Sequence, residues 1–513
     1  MQPVGHVTAT TMRLFFVRIT LGALLVWVAG CSEPTIDEGV LPFIVPTSTD
    51  ADGGSWKTVV LKAATDISVP QPLATTSAAY QQELADVKNG VLAATPEQNT
   101  AVNYWAYGAV LRWNQIARQL VAKYNVAPGY DYATGQTTPA ESANPYAGPP
   151  YAARVYALLS AAQYDALVVA WRAKFQYNRP SLEQQGVISR APVLDVPSYP
   201  SEDAAVAEVS CQVLAYLFPK EEAFLKAKAT EHKQSRIWAG ASVPSDVKAG
   251  EALAATLAPK VIDRVKADRF GAANDPTNTW QTALAKAPYD QKWTSLEIPA
   301  RAPILPLAGK VKTWYDSTSI AKLVPAAPPA TTSADFQKAL SEVRDIATAR
   351  TRDQSRIASY WDNGPNTYSL SGLWNLLTEE FIRENGQNEL RAARTYSLLN
   401  RAMQDATTAS WRTQYTYFVP RPSQIDPTIK TATVIPNTPS YVSDRAAVSS
   451  TAATLLSYLF PSDATKLTAQ ATEASLSGLY AGTHYRFDND EGAKLGTAIG
   501  QLAVAAAKAD GAK

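Results

Sequence analysis

One ordered set of landmarks occurs twice in this 513-residue chain. Trp171, Arg179-Pro180, Ser201, Pro219, Gly240 and Asp246 recur as Trp411, Arg421-Pro422, Ser443, Pro461, Gly482 and Asp488. The offset is 240 residues at the tryptophan and 242 at each later landmark. An offset that steady reads as an internal duplication, and repeats have to be settled before a fold is assigned. Any fold for this chain must therefore accommodate two copies of one unit.

Composition narrows the class of that unit. Hydrophobic residues make up 46% and charged residues 18%, the balance of a globular protein. The length suffices for two or more cores. The formal charge is +1 and no basic-aromatic stripe occurs, so no nucleic-acid partner is expected. Alanine-rich runs carrying Leu, Val and Tyr predict helices, while alternating valine-rich segments are scarce. The two cysteines, Cys31 and Cys211, form no C-x-x-C, which excludes a zinc ribbon or a thioredoxin-type motif. The histidines are His6, His232 and His484, too few for a histidine-rich metal centre, so no metal site is expected. His232 falls in no motif and reads as a surface helix residue.

Residues 1–30 read as an export signal. Arg13 and Arg18 supply its positive flank, and Leu21 to Ala29 an apolar stretch too short to span a bilayer. Val28-Ala29-Gly30-Cys31 resembles the bacterial lipobox, which implies lipidation at Cys31. The implied location is the cell envelope, lipid-anchored, with Ser32 permitting sorting to the outer membrane of a Gram-negative bacterium. Residues 31–75 read as a tether. The first helical repeat is expected over 76–267, a connecting region without repeat landmarks over 268–350, and the second repeat over 351–513. Helices are expected at 151–175, 202–217, 220–240 and 245–266, then at 388–417, 442–459, 462–480 and 488–507. The proline-rich stretches 178–201 and 419–440 must be mostly irregular.

The landmarks resemble the superfamily of type 2 phosphatidic acid phosphatases, bacterial acid phosphatases and vanadium haloperoxidases. That superfamily carries K-x6-R-P, then P-S-G-H, then S-R-x5-H-x3-D. The resemblance implies an all-α fold: two helical bundles of the phosphatase/haloperoxidase type related by internal duplication. It also implies a phosphate or phosphoester-type ligand and admits vanadate as a cofactor. Lysine and arginines would surround a tetrahedral oxyanion, with arginine offering paired donors. One histidine would attack phosphorus or coordinate vanadium, oriented by the last aspartate, and another would handle the leaving-group proton.

Carried over residue by residue, the first half matches at Lys174, Arg179, Ser201, Arg236 and Asp246. Its lysine-to-arginine gap is two residues short. Asp203 stands where the acid/base histidine is expected, and Ser242 where the nucleophilic histidine is expected. The second half matches at Arg421, Ser443, His484 and Asp488. There Gln414 replaces the lysine, Asp444-Arg445 replaces Gly-His, and Gly478 replaces the arginine of the third block.

Each residue carries two readings. Arg179 and Arg236 either clamp an anion or form ordinary salt bridges to Asp203 or Asp246. Ser242 is either a substitute nucleophile beside Asp246 or a structural residue, and a serine needs an adjacent base to react. His484 with Asp488 is either a surviving catalytic pair or a hydrogen-bonded loop. Function divides the same way. The first reading is a diverged member that binds an oxyanion with weak or absent catalysis. The second is an active phosphoester hydrolase or haloperoxidase, with Asp203 as acid, or with His484 reacting in a site composed with first-half arginines. The third is a lipid-tethered glycan-binding protein using exposed Tyr and Trp.

Overall fold

The computed structural model describes residues 43–126, 129–131, 136–138, 148–192, 194–298 and 300–512. The signal segment, Cys31 and the lipobox lie outside the described residues.

Among the described residues the chain is all-α apart from one short antiparallel hairpin, β1 (Gly129–Asp131) with β2 (Gln136–Thr138). The first half holds α1 (Ala78–Leu92), α2 (Pro96–Trp105), α3 (Ala109–Tyr124), α4 (Pro149–Tyr177), α5 (Glu202–Leu217), α6 (Glu222–Trp238) and α7 (Pro244–Ala267). Two short helices follow, α8 (Thr279–Lys286) and α9 (Ser317–Lys322). The second half holds α10 (Ala334–Ala349), α11 (Arg352–Tyr360), α12 (Ser369–Glu384), α13 (Glu389–Tyr417), the one-turn α14 (Pro422–Ile425), α15 (Asp444–Leu459), α16 (Ala464–Ala481) and α17 (Arg486–Lys508).

Two 29-residue helices, α4 and α13, pack along each other at the centre. At 1.5 Å per residue each is roughly 43 Å long. Each stops at a residue in the left-handed region, Asn178 (φ 49°) and Phe418 (φ 52°), which turns the chain out of the helix. The proline-rich loops follow. Then α5 and α7 pack together against α4, while α15 and α17 do the same against α13. Glycine makes those approaches close. A Cβ at Gly250 would lie 2.3 Å from the Ser201 carbonyl, and one at Gly492 would lie 2.5 Å from that of Ser443.

The matched contacts extend beyond the sequence landmarks. Ser201 N–H donates to the Asp246 carbonyl and Ser443 N–H to that of Asp488, both at 3.0 Å. Arg154 pairs with Asp268 as Arg394 pairs with Asp510. The Trp105–Trp113 and Trp361–Trp374 ring pairs both have centroids 5.7 Å apart. Trp105 donates to Glu231 and Trp361 to Glu473, both at 2.9 Å. Ser77 and Ser333 cap α1 and α10, and Thr95 and Thr351 form capping boxes with Gln98 and Gln354.

Two expectations change. Residues 268–350 do contain counterparts of the first half: Trp314 and Tyr315 N–H groups bind Asp405 as Val59 to Leu61 N–H groups bind Asp165. The offset there is 255 to 256 residues, so a search at 242 passes over them. The described part of the expected tether, 43–75, is packed on the body, with Trp56, Leu61 and Ile67 buried. Between α2 and α3 the chain turns at Gly108, whose φ of 126° suits glycine.

Candidate functional site

Four of the first-half block positions, but not Arg179, Ser201 or Asp246, line one cavity of about 100 Å³, room for roughly three waters or one phosphate-sized group. Lys174, Glu202, Asp203, Arg236 and Ser242 line it, together with Glu389 from the start of α13. The α4 C-terminus brings Lys174, the α5 N-terminus brings Glu202 and Asp203, and the last turn of α6 brings Arg236.

Two of the three cations are already ion-paired. Lys174 Nζ lies 2.7 Å from Glu202 Oε2 and donates to the Pro197 carbonyl at 2.7 Å. Arg179 is ion-paired to Asp246, donates Nε to Ser198 Oγ at 3.0 Å, and lies over the Tyr80 and Tyr199 rings. Arg236 donates to Ser235 Oγ (3.1 Å) and to the Val102 carbonyl (3.2 Å), with no ion pair among the described residues. Ser201 caps α5 through the Ala204 N–H, so its hydroxyl accepts a backbone bond. Ser242 is buried in the cavity wall, its N–H on the Arg236 carbonyl at 3.3 Å.

His232 is not on the surface; it is fully buried. Its ring stacks on Trp105 with centroids 4.1 Å apart. Trp113 Nε1–H donates to its Nδ1 at 3.2 Å, and its Nε2 lies 3.1 Å from Asp203 Oδ1. Because Trp113 is a donor only, Nδ1 must accept, which assigns the proton to Nε2 and makes Asp203 its acceptor. Burial is the largest influence on His232 and pulls its pKa down. Burial alone would raise the Asp203 carboxyl. The hydrogen bond from His232 and the charges of Arg236 and Lys174 outweigh it and hold that carboxyl below its ordinary range. A sequence cue for His232 existed: Leu225, Ala229, His232 and Arg236 are spaced along one helical face.

Glu389 carries no motif. Its two carboxylate oxygens accept the Ala109 (3.0 Å) and Val110 (2.9 Å) N–H groups and so cap α3. Burial, then the charge of Asp203, pushes its pKa up to about 7.

The second-half residues form a closed cluster. Arg421 donates to the Thr438 carbonyl and hydroxyl, to the Pro439 and Thr483 carbonyls, and to His484 Nε2 at 2.9 Å. His484 Nδ1 lies 3.2 Å from Asp488 Oδ2, which also accepts from Ser440 and the Tyr485 N–H. Ser443 caps α15. Arg445 is held by Asp362 and Ser477, and Gln414 donates to the Val442 carbonyl. His484 packs over Gly478, where a Cβ would lie 2.9 Å from its Cδ2. His484 and Arg421 are buried at 3% and 1% exposure. The partners of His484 are all from its own half, so the composite arrangement with Arg179 and Arg236 is not formed by contact.

No family model and no curated protein matches this chain. Solved structures do. A bacterial vanadium-dependent iodoperoxidase superposes with a TM-score of 0.58 at 20% identity, over 77% of this chain and 95% of that one. The holo form of a bacterial vanadium-dependent chloroperoxidase gives 0.51 at 13% identity, over 71% and 93%. The chain therefore has the helical fold of the vanadium haloperoxidases.

Proposed function

We propose that this haloperoxidase-fold chain is a binding protein with weak or absent turnover, in which the chain's own carboxylates occupy the oxyanion cradle. One observation carries the reading: Lys174 is paired with Glu202, and Arg179 with Asp246. The ligand class remains that of the cradle, a phosphate-type oxyanion. Arg236 would bind it, weakly, because Glu202, Asp203 and Glu389 share the same small cavity.

Vanadate does not fit the donor sets. The first-half cavity holds Ser242 where an imidazole would be needed, and both His232 nitrogens are bonded elsewhere. In the second half the His484 nitrogen that could face a metal accepts from Arg421. The hydrolase reading loses its acid, because Asp203 is held ionised and a general acid needs a proton near neutral pH. The glycan reading is left with few stacking surfaces: Trp105, Trp113, Trp171, Trp361, Trp374 and Trp411 are buried, and the exposed Tyr216, Tyr360 and Tyr458 belong to none of the block segments.

The matched contacts on both sides of α4 and α13 favour descent of the two halves from one duplicated unit. We place the chain at the cell envelope through a lipid on Cys31. Radiolabelled palmitate incorporated by the wild type and not by Cys31→Ala supports that placement, and equal labelling refutes it.

The deciding experiment assays the chain for iodide and bromide peroxidation with vanadate, and for aryl phosphate hydrolysis, beside Arg236→Gln and His484→Ala. The expected result is no turnover above the heat-denatured control. Turnover that depends on Arg236 or His484 overturns the reading.

A further inference from the structure

A second cavity, of about 250 Å³, lies at the seam between the two halves. Tyr164 and Arg264 reach it from the first half, and Trp314, Tyr315, Arg394 and Arg401 from beyond it. None of these belongs to the three blocks. Arg394 is engaged, paired with Asp510 at 2.8 Å and donating to the Ala507 carbonyl. Arg264 and Arg401 have no ion pair among the described residues.

Arg264 lies over the Trp314 ring, 3.5 Å from its centroid, and donates Nη2 to the Thr313 carbonyl. Its Nε is buried without a partner. Arg401 is about nine-tenths buried, lies over the Tyr315 ring at 5.0 Å, and donates Nε to the Ser397 carbonyl. The Tyr164 hydroxyl, on a side chain 2% exposed, also has no partner.

Asp510 and Lys57 also line the cavity; Asp510 is held by Arg394, and the neighbouring carboxylates are turned elsewhere. Asp165 accepts the Val59, Val60 and Leu61 N–H groups, Asp405 accepts those of Trp314 and Tyr315, and Asp268 is held by Arg154. Asp405 acts on both guanidinium groups through its charge but bonds to neither, and the buried Arg264 Nε and Tyr164 hydroxyl are left without a hydrogen-bond partner, which is costly. The cavity has room for about eight waters, enough for a small anion with part of its hydration.

We propose that this seam cavity binds a small oxyanion, held by Arg264 and Arg401 with the Tyr164 hydroxyl as third donor. Guanidinium forks match two oxygens of a phosphate, sulfate or carboxylate. The repeat offsets put Ala161 opposite Arg401 and Ala506 opposite Arg264. The site therefore exists once per chain, despite the repeat.

The test is calorimetric titration of the full chain, and of Arg236→Gln, with inorganic phosphate, sulfate and acetate at constant ionic strength. Arg236→Gln removes the free cation of the first-half cavity and leaves the seam intact. One site per chain is expected to survive in it. Affinity at that site should fall about tenfold or more in Arg401→Gln and Arg264→Gln, and severalfold in Tyr164→Phe. Circular dichroism checks folding; should the arginine variants unfold, Tyr164→Phe, which removes one oxygen, decides. Preference for phosphate and sulfate assigns a tetrahedral anion, and preference for acetate a carboxylate. Absence of binding by all three anions overturns the proposal. So does unchanged affinity in the folded seam variants, or binding that disappears with Arg236→Gln.

Discussion

Arg421 and His484 are bonded to each other, Nη1 to Nε2 at 2.9 Å, in a cluster that leaves the guanidinium no donor for a ligand. Burial pulls the Arg421 pKa down to about 10, still high enough to stay charged at neutral pH. Arg421→Ala strands the Thr438, Pro439 and Thr483 carbonyls. The expected loss of unfolding free energy in urea is about 3 kcal/mol or more. A loss under about 1 kcal/mol, the size of a surface change, contradicts a structural role.

Glu202 and Asp203 line the first-half cavity, and on the proposed reading their charge weakens oxyanion binding there. Glu202→Gln frees the Lys174 ammonium, and Glu202→Gln/Asp203→Asn removes both nearby charges. Phosphate affinity of the double variant should rise about tenfold or more by calorimetry. An affinity equal to wild type would mean the carboxylates are not the obstacle.

Arg179 and Asp246 are buried together at 4% and 0% exposure. Asp246→Ala leaves the guanidinium buried and unpaired, at an expected cost of about 3–5 kcal/mol in denaturant unfolding. Arg179→Met/Asp246→Leu should recover much of that stability, since a buried pair can be replaced by apolar groups at little net cost. Failure of the double variant to recover would assign the pair a further role.

Gly478 and His484 form a steric pair. Gly478→Ala places a Cβ against the imidazole and should cost about 1–3 kcal/mol. In a His484→Ala background most of that cost should vanish, giving a clear coupling energy in a double-mutant cycle. Additive losses would show that the contact does not determine the position of the ring.

Glu389 should shape the pH dependence of stability. Its folded pKa of about 7 lies above the ordinary value of 4.5, so folding favours its neutral form. The stability it contributes is present below 4.5 and lost as pH rises through 7. His232 and His484 act in the opposite sense: their depressed pKa values give stability present above 6.5 and lost as pH falls. Glu389→Gln should therefore move the pH of highest melting temperature upward in a series from pH 4 to 8. A superimposable profile would dismiss Glu389 as a contributor.

The sequence by itself determined eight of the helices, those of the two block-bearing segments, and their order. The prediction 202–217 matches α5, and 388–417 differs from α13 by one residue, because alanine-rich periodicity and capping residues act locally. It also carried the 242-residue match. Tertiary structure alone decided what the matched positions do. Glu389 reaches the first-half cavity from a helix that begins about 280 residues after the N–H groups it caps, a separation no local pattern encodes. His232 became the partner of Asp203 only when α6 folded its apolar stripe against Trp105 and Trp113. Arg236 and Arg421 are both block arginines in sequence. One faces a cavity and the other is saturated by backbone carbonyls, because charge pairing and desolvation depend on what surrounds a side chain in three dimensions.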